Sequence, residues 1–106
     1  MILALWACAE EPAACSEREP ALGYVNFGRG FLAEYCTGCH SSLLTGEARY
    51  GAPEGVDFDT LDGAQTWLDR IVERAAGDDA TMPPSGPAGA EDRAMLAEWA
   101  GCGMPE

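Results

Sequence analysis

The sequence predicts a single all-α domain in which three main helices alternate with long loops. Three stretches carry apolar side chains at helical spacing, and no alternating stretch is long enough to demand a β-sheet. The length of 106 residues suits one domain. A domain of this size buries roughly 60 to 65% of the surface of its unfolded chain, so it often needs a cofactor or covalent cross-links.

The first 22 residues precede the predicted domain, which covers residues 23–106. Residues 1–8, MILALWAC, are apolar and end at Cys8. This pattern resembles the end of a bacterial lipoprotein signal, in which the cysteine becomes lipidated, but it is too short to cross a membrane. We expect a truncated lipoprotein signal here, with a frayed apolar terminus as the alternative. Residues 9–22 contain Glu, Pro and Ala and are expected to form an exposed tether.

Apolar residues at helical spacing locate the first two helices. The first helix covers about residues 24–35 and leads into Cys36. The second covers about residues 64–76, and its N-terminus can be capped by Thr60 or Asp62. Its apolar stripe consists of Trp67, Leu68, Ile71, Val72 and Ala75. One face of each helix is therefore expected to lie in the core.

Loops rich in glycine and proline separate the helices. Residues 41–60 are expected to form a long irregular loop that must pack against another group, most simply a cofactor. Residues 77–89 contain too many prolines to be helical. The last helix covers about residues 91–100 and is closed by Gly101. The expected order is helix, long loop, helix, proline-rich loop, helix.

The motif that carries chemistry is C-x-x-C-H, at residues 36–40. In c-type haem attachment, two thiols on one turn each add to a vinyl group of one porphyrin, and the following histidine, here His40, becomes the proximal iron ligand. A thioredoxin-like pair would require a βαβ setting. A structural zinc site needs four ligands, and Cys8, Cys15 and Cys102 are too scattered to complete one. The sequence therefore predicts one covalently attached haem c, held by Cys36 and Cys39.

On this motif and its surroundings the chain resembles the small bacterial monohaem class I cytochromes c. These proteins have a glycine eight residues and a bulky apolar residue four residues before the first haem cysteine, as Gly28 and Leu32 stand here. The aromatic that the family usually has at the second position lies one residue earlier, as Phe31. Leu96 and Trp99 match an apolar and aromatic pair in the family's last helix. The resemblance implies the cytochrome c fold, with the first and last helices crossing closely at Gly28.

A methionine is the expected second axial ligand, because the chain has only one histidine. Met82 lies in a loop stiffened by Pro83 and Pro84, which suits a thioether held at a fixed distance from iron. It also resembles the family's distal loop, where Met is commonly followed by Pro. Met95 is expected to pack in or on the last helix, and Met104 to lie in a poorly fixed C-terminus. We therefore predict that Met82 ligates the iron.

The resemblance also predicts the groups around the haem. In the family a proline carbonyl commonly accepts a hydrogen bond from the proximal histidine, and Pro53 is the candidate here; a turn proline without haem contact is the alternative. The propionates require donors or cations, for which the candidates are Arg49, Trp67, Arg70 and Arg74. At least one of these arginines is expected to be an ordinary solvated side chain. Candidate pocket walls are Leu44, Tyr50, Phe58 and Ile71.

Two further cysteines are expected to meet if the first and last helices cross. Cys15 precedes the first helix and Cys102 follows the last one, so the crossing places them at neighbouring helix ends. A disulfide is expected in the oxidising space outside the cytoplasm, where haem is attached to such proteins. Two free thiols are the alternative.

The resemblance implies a one-electron carrier that is not an enzyme, because both axial positions of the iron are filled. One alternative is a haem sensor or peroxidase-like protein from which Met82 dissociates. A second is a haem-free, disulfide-stapled lipoprotein that acts as an interaction module. The expected location is the periplasm or cell envelope, with anchoring through a lipidated Cys8.

Charge limits the partners. The net charge is -12 and the chain has no lysine, so the basic surface needed for binding nucleic acid is absent from the sequence. A redox partner is expected to be basic or to dock through an apolar patch.

Overall fold

The computed structural model describes residues 15–106. The predicted lipoprotein segment with Cys8, and the first part of the predicted tether, lie outside these described residues. The described chain is helical and has no β-strand among its residues, which confirms the all-α prediction at this level. None of the described helices combines the length and the apolar character that crossing a bilayer requires.

The first helical unit is a π-helical turn, Tyr24–Gly28, that continues directly into α1, Arg29–Tyr35. Together they confirm the helix predicted at residues 24–35. The backbone N–H of Gly23, before the first turn, donates to the side-chain oxygen of Asn26 at 2.6 Å. This bond fixes the entry of the chain into the helix.

The second helical unit is interrupted, whereas the sequence predicted one helix over residues 64–76. It consists of α2, Leu61–Thr66, then α3, Leu68–Ile71, and a π-helical turn, Val72–Ala76. The break falls at Trp67, whose backbone leaves the α-helical region with φ -108° and ψ 22°. Thr60 caps the unit as expected, since its hydroxyl accepts the N–H three residues later at 3.1 Å.

The last helix, α4, covers Ala90–Gly101, within one residue of the predicted bounds. Glu91 and Asp92 lie in its first turn, where carboxylates interact favourably with the positive end of the helix dipole. Leu96 and Trp99 are fully buried in the core.

The first and last helical units approach most closely at Gly28. A Cβ atom at this position would overlap the indole ring of Trp99. The ring of Phe27 also packs edge-on against that indole, with centroids 5.9 Å apart. The Trp99 Nε1 group donates to the carbonyl of Pro105 at 3.0 Å, which holds the ring in place. The predicted close approach at this glycine is confirmed.

The C-terminal residues are fixed, contrary to the expectation for Met104. Its side chain is fully buried in the core cluster. The Met104 backbone N–H donates to the carbonyl of Trp99, and the Met104 carbonyl accepts from the Gln65 amide at 2.9 Å. These contacts explain why two flanking glycines do not leave this segment loose.

The described part of the predicted tether is also attached to the domain. Cys15 and Cys102 form the predicted disulfide, with Cα atoms 5.2 Å apart. Arg18 makes a bidentate contact with Glu98 on α4, with both N–O distances at 3.0 Å. Leu22 is buried in the core. Most of residues 15–21 are exposed, as predicted, but the segment is not a free tether, because a covalent bond, an ion pair and an apolar anchor dock it to the domain.

Candidate functional site

The C-x-x-C-H residues form one turn directly after α1. The backbone N–H of Cys36 donates to Leu32 at 2.9 Å, so the turn is a continuation of the helix. Cys39 and His40 both donate to the carbonyl of Cys36, at 3.2 and 2.9 Å. This hydrogen bonding places the two cysteines and the histidine on a single turn. Both thiols are free, and each side chain is half-buried.

Burial changes the chemistry of the first thiol. Cys36 packs against the core, and this burial raises the pKa of its thiol to about 12. The sulfur is therefore protonated at neutral pH in the folded chain. Thiol reactions that proceed through the thiolate are slow for such a group.

The imidazole of His40 is held in one orientation. Its Nδ1 atom lies 2.9 Å from the carbonyl oxygen of Val56. Because a carbonyl oxygen only accepts, Nδ1 must carry the hydrogen, which leaves the lone pair of a neutral ring on Nε2. The ring of Phe58 lies beside the imidazole, with centroids 4.7 Å apart, and the Phe58 N–H donates to the His40 carbonyl at 2.8 Å. Nε2 is thus the nitrogen available to a metal.

The acceptor is Val56 and not Pro53, so that prediction is wrong. The carbonyl of Pro53 is already engaged, since it accepts from the Arg49 guanidinium at 2.7 Å. Val56 follows three residues later, and its backbone N–H donates back to the Pro53 carbonyl at 3.2 Å. A turn therefore separates the predicted acceptor from the observed one.

Arg49 is buried inside the long loop, and only 1% of it is exposed. Every N–H of its guanidinium points to a backbone carbonyl: those of Ser41, Leu44, Ala52, Pro53 and Val56. A haem propionate would find no free N–H on this side chain in the described conformation. In this structure Arg49 instead binds together the long loop that the sequence analysis expected a cofactor to support.

Asp57 supplies the charge that accompanies this buried arginine. Its Oδ1 atom lies 2.7 Å from Arg49 Nη2. The same oxygen has no N–H aimed at it, because both Nη2 hydrogens point to carbonyls. The contact is therefore an electrostatic pairing beside a filled set of hydrogen bonds.

The other predicted propionate donors lie in the second helical unit. Trp67 and Arg70 both line an open groove of about 560 Å³ formed by residues 65–70. Arg70 is exposed and pairs with Glu73 at 3.3 Å, and the Arg74 side chain is also exposed. Trp67 and Arg70 therefore share one groove, and the side chains of Arg70 and Arg74 are both exposed to solvent. Among the predicted pocket walls, Ile71 and Phe58 are buried whereas Tyr50 is exposed.

Met82 lies in the proline-rich loop and is half-buried against the core cluster. Its backbone N–H and that of Thr81 both donate to the carbonyl of Arg74, at 2.9 and 2.8 Å. These two bonds fix the loop to the end of the second helical unit. Cys36 and Trp67 also pack against this core cluster.

The sequence reasoning missed the carbonyl of Val56 and the carboxylate of Asp57. A backbone acceptor carries no signal in the side-chain pattern. Asp57 was one of 18 acidic residues, and nothing distinguished it before Arg49 was placed beside it. Cys15 and Cys102 bond to each other, so neither is available to complete a metal site with Cys36.

Comparison of the chain with protein-family models, curated proteins and solved structures finds no match.

Proposed function

We propose that this chain is a one-electron carrier with one covalently attached haem c. The observation that carries the proposal is the turn at residues 36–40, where two free thiols and a histidine follow one another on a single turn. His40 fits the role of a haem ligand. Its Nδ1–H is bonded to the Val56 carbonyl, and its Nε2 lone pair is therefore free to bind iron. That arrangement is the one that orients an imidazole for a metal.

Cys36 and Cys39 would hold the haem through two thioether bonds, with His40 as proximal and Met82 as distal ligand. When bound, the haem supplies an iron that cycles between Fe(III) and Fe(II). Thioether ligation by Met82 favours the reduced state, so a fairly positive potential follows. Ligation by both His40 and Met82 would leave no open position for oxygen or peroxide, which favours electron transfer over a sensor or a peroxidase.

The site residues have distinct tasks in this proposal. Val56 fixes the orientation of the His40 ring through its carbonyl. Phe58 covers the imidazole and limits the access of water to it. The bonds to the Arg74 carbonyl hold the backbone of Met82, so that its side chain can remain in place in both oxidation states.

The proposal places the chain in the periplasm or cell envelope, where haem attachment and disulfide formation both occur. A lipidated Cys8 would anchor it to a membrane. Its redox partner would carry a basic or apolar docking surface, because the net charge of the chain is -12.

The first experiment is expression together with the haem-attachment machinery, followed by denaturing electrophoresis with a haem stain and a pyridine haemochrome spectrum. We expect covalent haem with two saturated vinyl groups. Cys36→Ser and Cys39→Ser should each leave a single thioether and shift the haemochrome band. The matched control is Cys15→Ser/Cys102→Ser, which removes two cysteines outside the motif and should retain the normal band. A wild-type chain without covalent haem would refute the proposal and favour the haem-free interaction module.

The second experiment concerns the distal ligand. The ferric protein should show the far-red sulfur-to-iron band, and Met82→Ala should lose it while Met95→Ala retains it. Carbon monoxide should bind the ferrous Met82→Ala protein but not the wild type at neutral pH. Rapid binding to the wild type would show an open iron position and favour the sensor.

A further inference from the structure

The carbonyl oxygen of Val56 has two donors. His40 Nδ1 lies 2.9 Å from it, and Arg49 Nη2 donates to it at 3.1 Å. A carbonyl oxygen has two lone pairs, so both are used. The imidazole and the guanidinium are therefore linked through one shared acceptor.

Arg49 also fixes the backbone on the other side of the imidazole. Its Nη1 group donates at 2.7 Å to the carbonyl of Ser41, the residue that follows His40. Hydrogen bonds from a charged guanidinium are stronger than neutral ones, and these are shielded from water. One buried side chain thus holds both the backbone of the residue next to the histidine and the carbonyl that accepts the histidine's hydrogen bond.

The charge of Arg49 has an electronic consequence. A cation bonded to the Val56 oxygen draws electron density from it, which makes the oxygen a weaker acceptor for the His40 N–H. The imidazole then has less imidazolate character and donates less charge to a metal at Nε2. In addition, the buried positive charge of Arg49 would disfavour the ferric state of an iron bound at His40. Both effects act in the same direction.

We propose that Arg49 is a positioning residue for His40 and that its buried charge raises the reduction potential of the haem site. This inference rests on the proposed haem function. Asp57 moderates the effect, because its carboxylate lies 2.7 Å from the guanidinium and offsets part of the charge. Arg49 therefore raises the reduction potential of the haem site, and Asp57 lowers it.

The test compares reduction potentials by spectroelectrochemistry. Arg49→Met should lower the potential so that the ratio of Fe(II) to Fe(III) at a fixed ambient potential falls about tenfold, equivalent to about 59 mV for one electron. Asp57→Asn should raise the potential. The matched control is Arg18→Met, which changes the net charge equally at a side chain that is 44% exposed and pairs with Glu98 on α4, away from the predicted haem contacts. Solvent screening should keep that change below about twofold.

A second readout separates position from charge. The solvent exchange of the His40 Nδ1–H is followed by NMR in the ferrous protein. Arg49→Lys keeps the charge but lacks the planar fork, so its potential should stay near that of the wild type while this exchange accelerates. A structural role alone would not move the potential in opposite directions in the Arg49 and Asp57 variants. If Arg49→Met does not fold, Asp57→Asn carries the test, because Asp57 is partly exposed and makes no directed hydrogen bond with the guanidinium.

The inference is overturned if Arg49→Met shifts the potential no more than Arg18→Met, or if Asp57→Asn fails to raise it. A negative result for the role of Arg49 can be told apart from a negative result for the proposed haem function. A chain that takes up no haem refutes that function, and nitrogen-15 NMR of the haem-free chain then still decides whether His40 holds its hydrogen on Nδ1. Loss of that tautomer preference in Arg49→Lys supports the positioning role, and its retention refutes it.

Discussion

Replacing Gly28 with alanine tests the crossing of the first and last helical units. Gly28 has helical backbone angles, φ -59° and ψ -46°, so alanine suits its conformation. By helix propensity alone, alanine would stabilise the chain by about 1 kcal/mol. The new methyl group would, however, overlap the Trp99 ring, which is fully buried and cannot swing into solvent.

The two effects have different sizes. Overpacking a rigid core site costs typically 1 to 3 kcal/mol, and an overlap with a fixed indole belongs at the upper end of about 3 kcal/mol. Subtracting the propensity gain leaves a net loss of about 2 kcal/mol in the free energy of unfolding. For a domain of this size that is a fall in Tm of roughly 8 to 16 °C. Thermal unfolding followed by far-UV circular dichroism measures it.

The matched control is Gly30→Ala, two residues further along the same unit. No atom lies within 4 Å of a Cβ built there, so we expect a gain of about 0.5 to 1 kcal/mol. A double-mutant cycle with Trp99→Leu completes the test, because removal of the indole should make Gly28→Ala nearly neutral. If Gly28→Ala stabilises the chain as Gly30→Ala does, the crossing geometry is wrong.

Three further predictions concern stability and association. The disulfide joins residues separated by 87 positions, so Cys15→Ser/Cys102→Ser should lower the free energy of unfolding by about 4 to 5 kcal/mol in denaturant titrations; an unchanged midpoint would contradict the bond. The hydrogen bond from Arg18 lowers the pKa of Glu98 to about 2, so this group's stabilisation is present above pH 4.5 and is lost as pH falls toward 2. Glu98→Gln should flatten acid unfolding across that window, and an identical acid profile would refute this. Finally, association with a basic redox partner should slow as salt rises, in stopped-flow measurements, and salt-independent rates would indicate an apolar dock instead.

The helices could be predicted from the sequence because each buries a stripe of apolar residues. The bounds of α4 and the cap at Thr60 follow from local pattern and capping chemistry, which a sequence displays directly. The break at Trp67 could not be predicted, because an amphipathic stripe continues through it. Backbone angles at such a point are set by packing against the rest of the core.

Only part of the site could be predicted from the sequence, because some of its contacts are local in the chain and others depend on packing. The C-x-x-C-H turn is local, so its spacing alone places both thiols and His40 together. The acceptor of the imidazole is a backbone carbonyl 16 residues away, and every residue has such a carbonyl. The carbonyl of Pro53 already accepts from Arg49 and from the Val56 N–H, whereas the carbonyl of Val56 accepts only from Arg49 and has one lone pair left for His40.

Under the proposed function, the order of the long loop has a consequence for electron transfer. The sequence suggested that residues 41–60 need a cofactor to pack against, yet Arg49 binds five carbonyls of this chain, from Ser41 to Val56. These dipoles are fixed by a buried charge, so they would not need to reorganise if an iron bound at His40 changed its charge. An electron carrier benefits from such a surrounding, since its site must accept and release charge without moving. The buried arginine and the His40 acceptor are therefore best understood as one unit, because the same hydrogen bonds hold the loop and the imidazole.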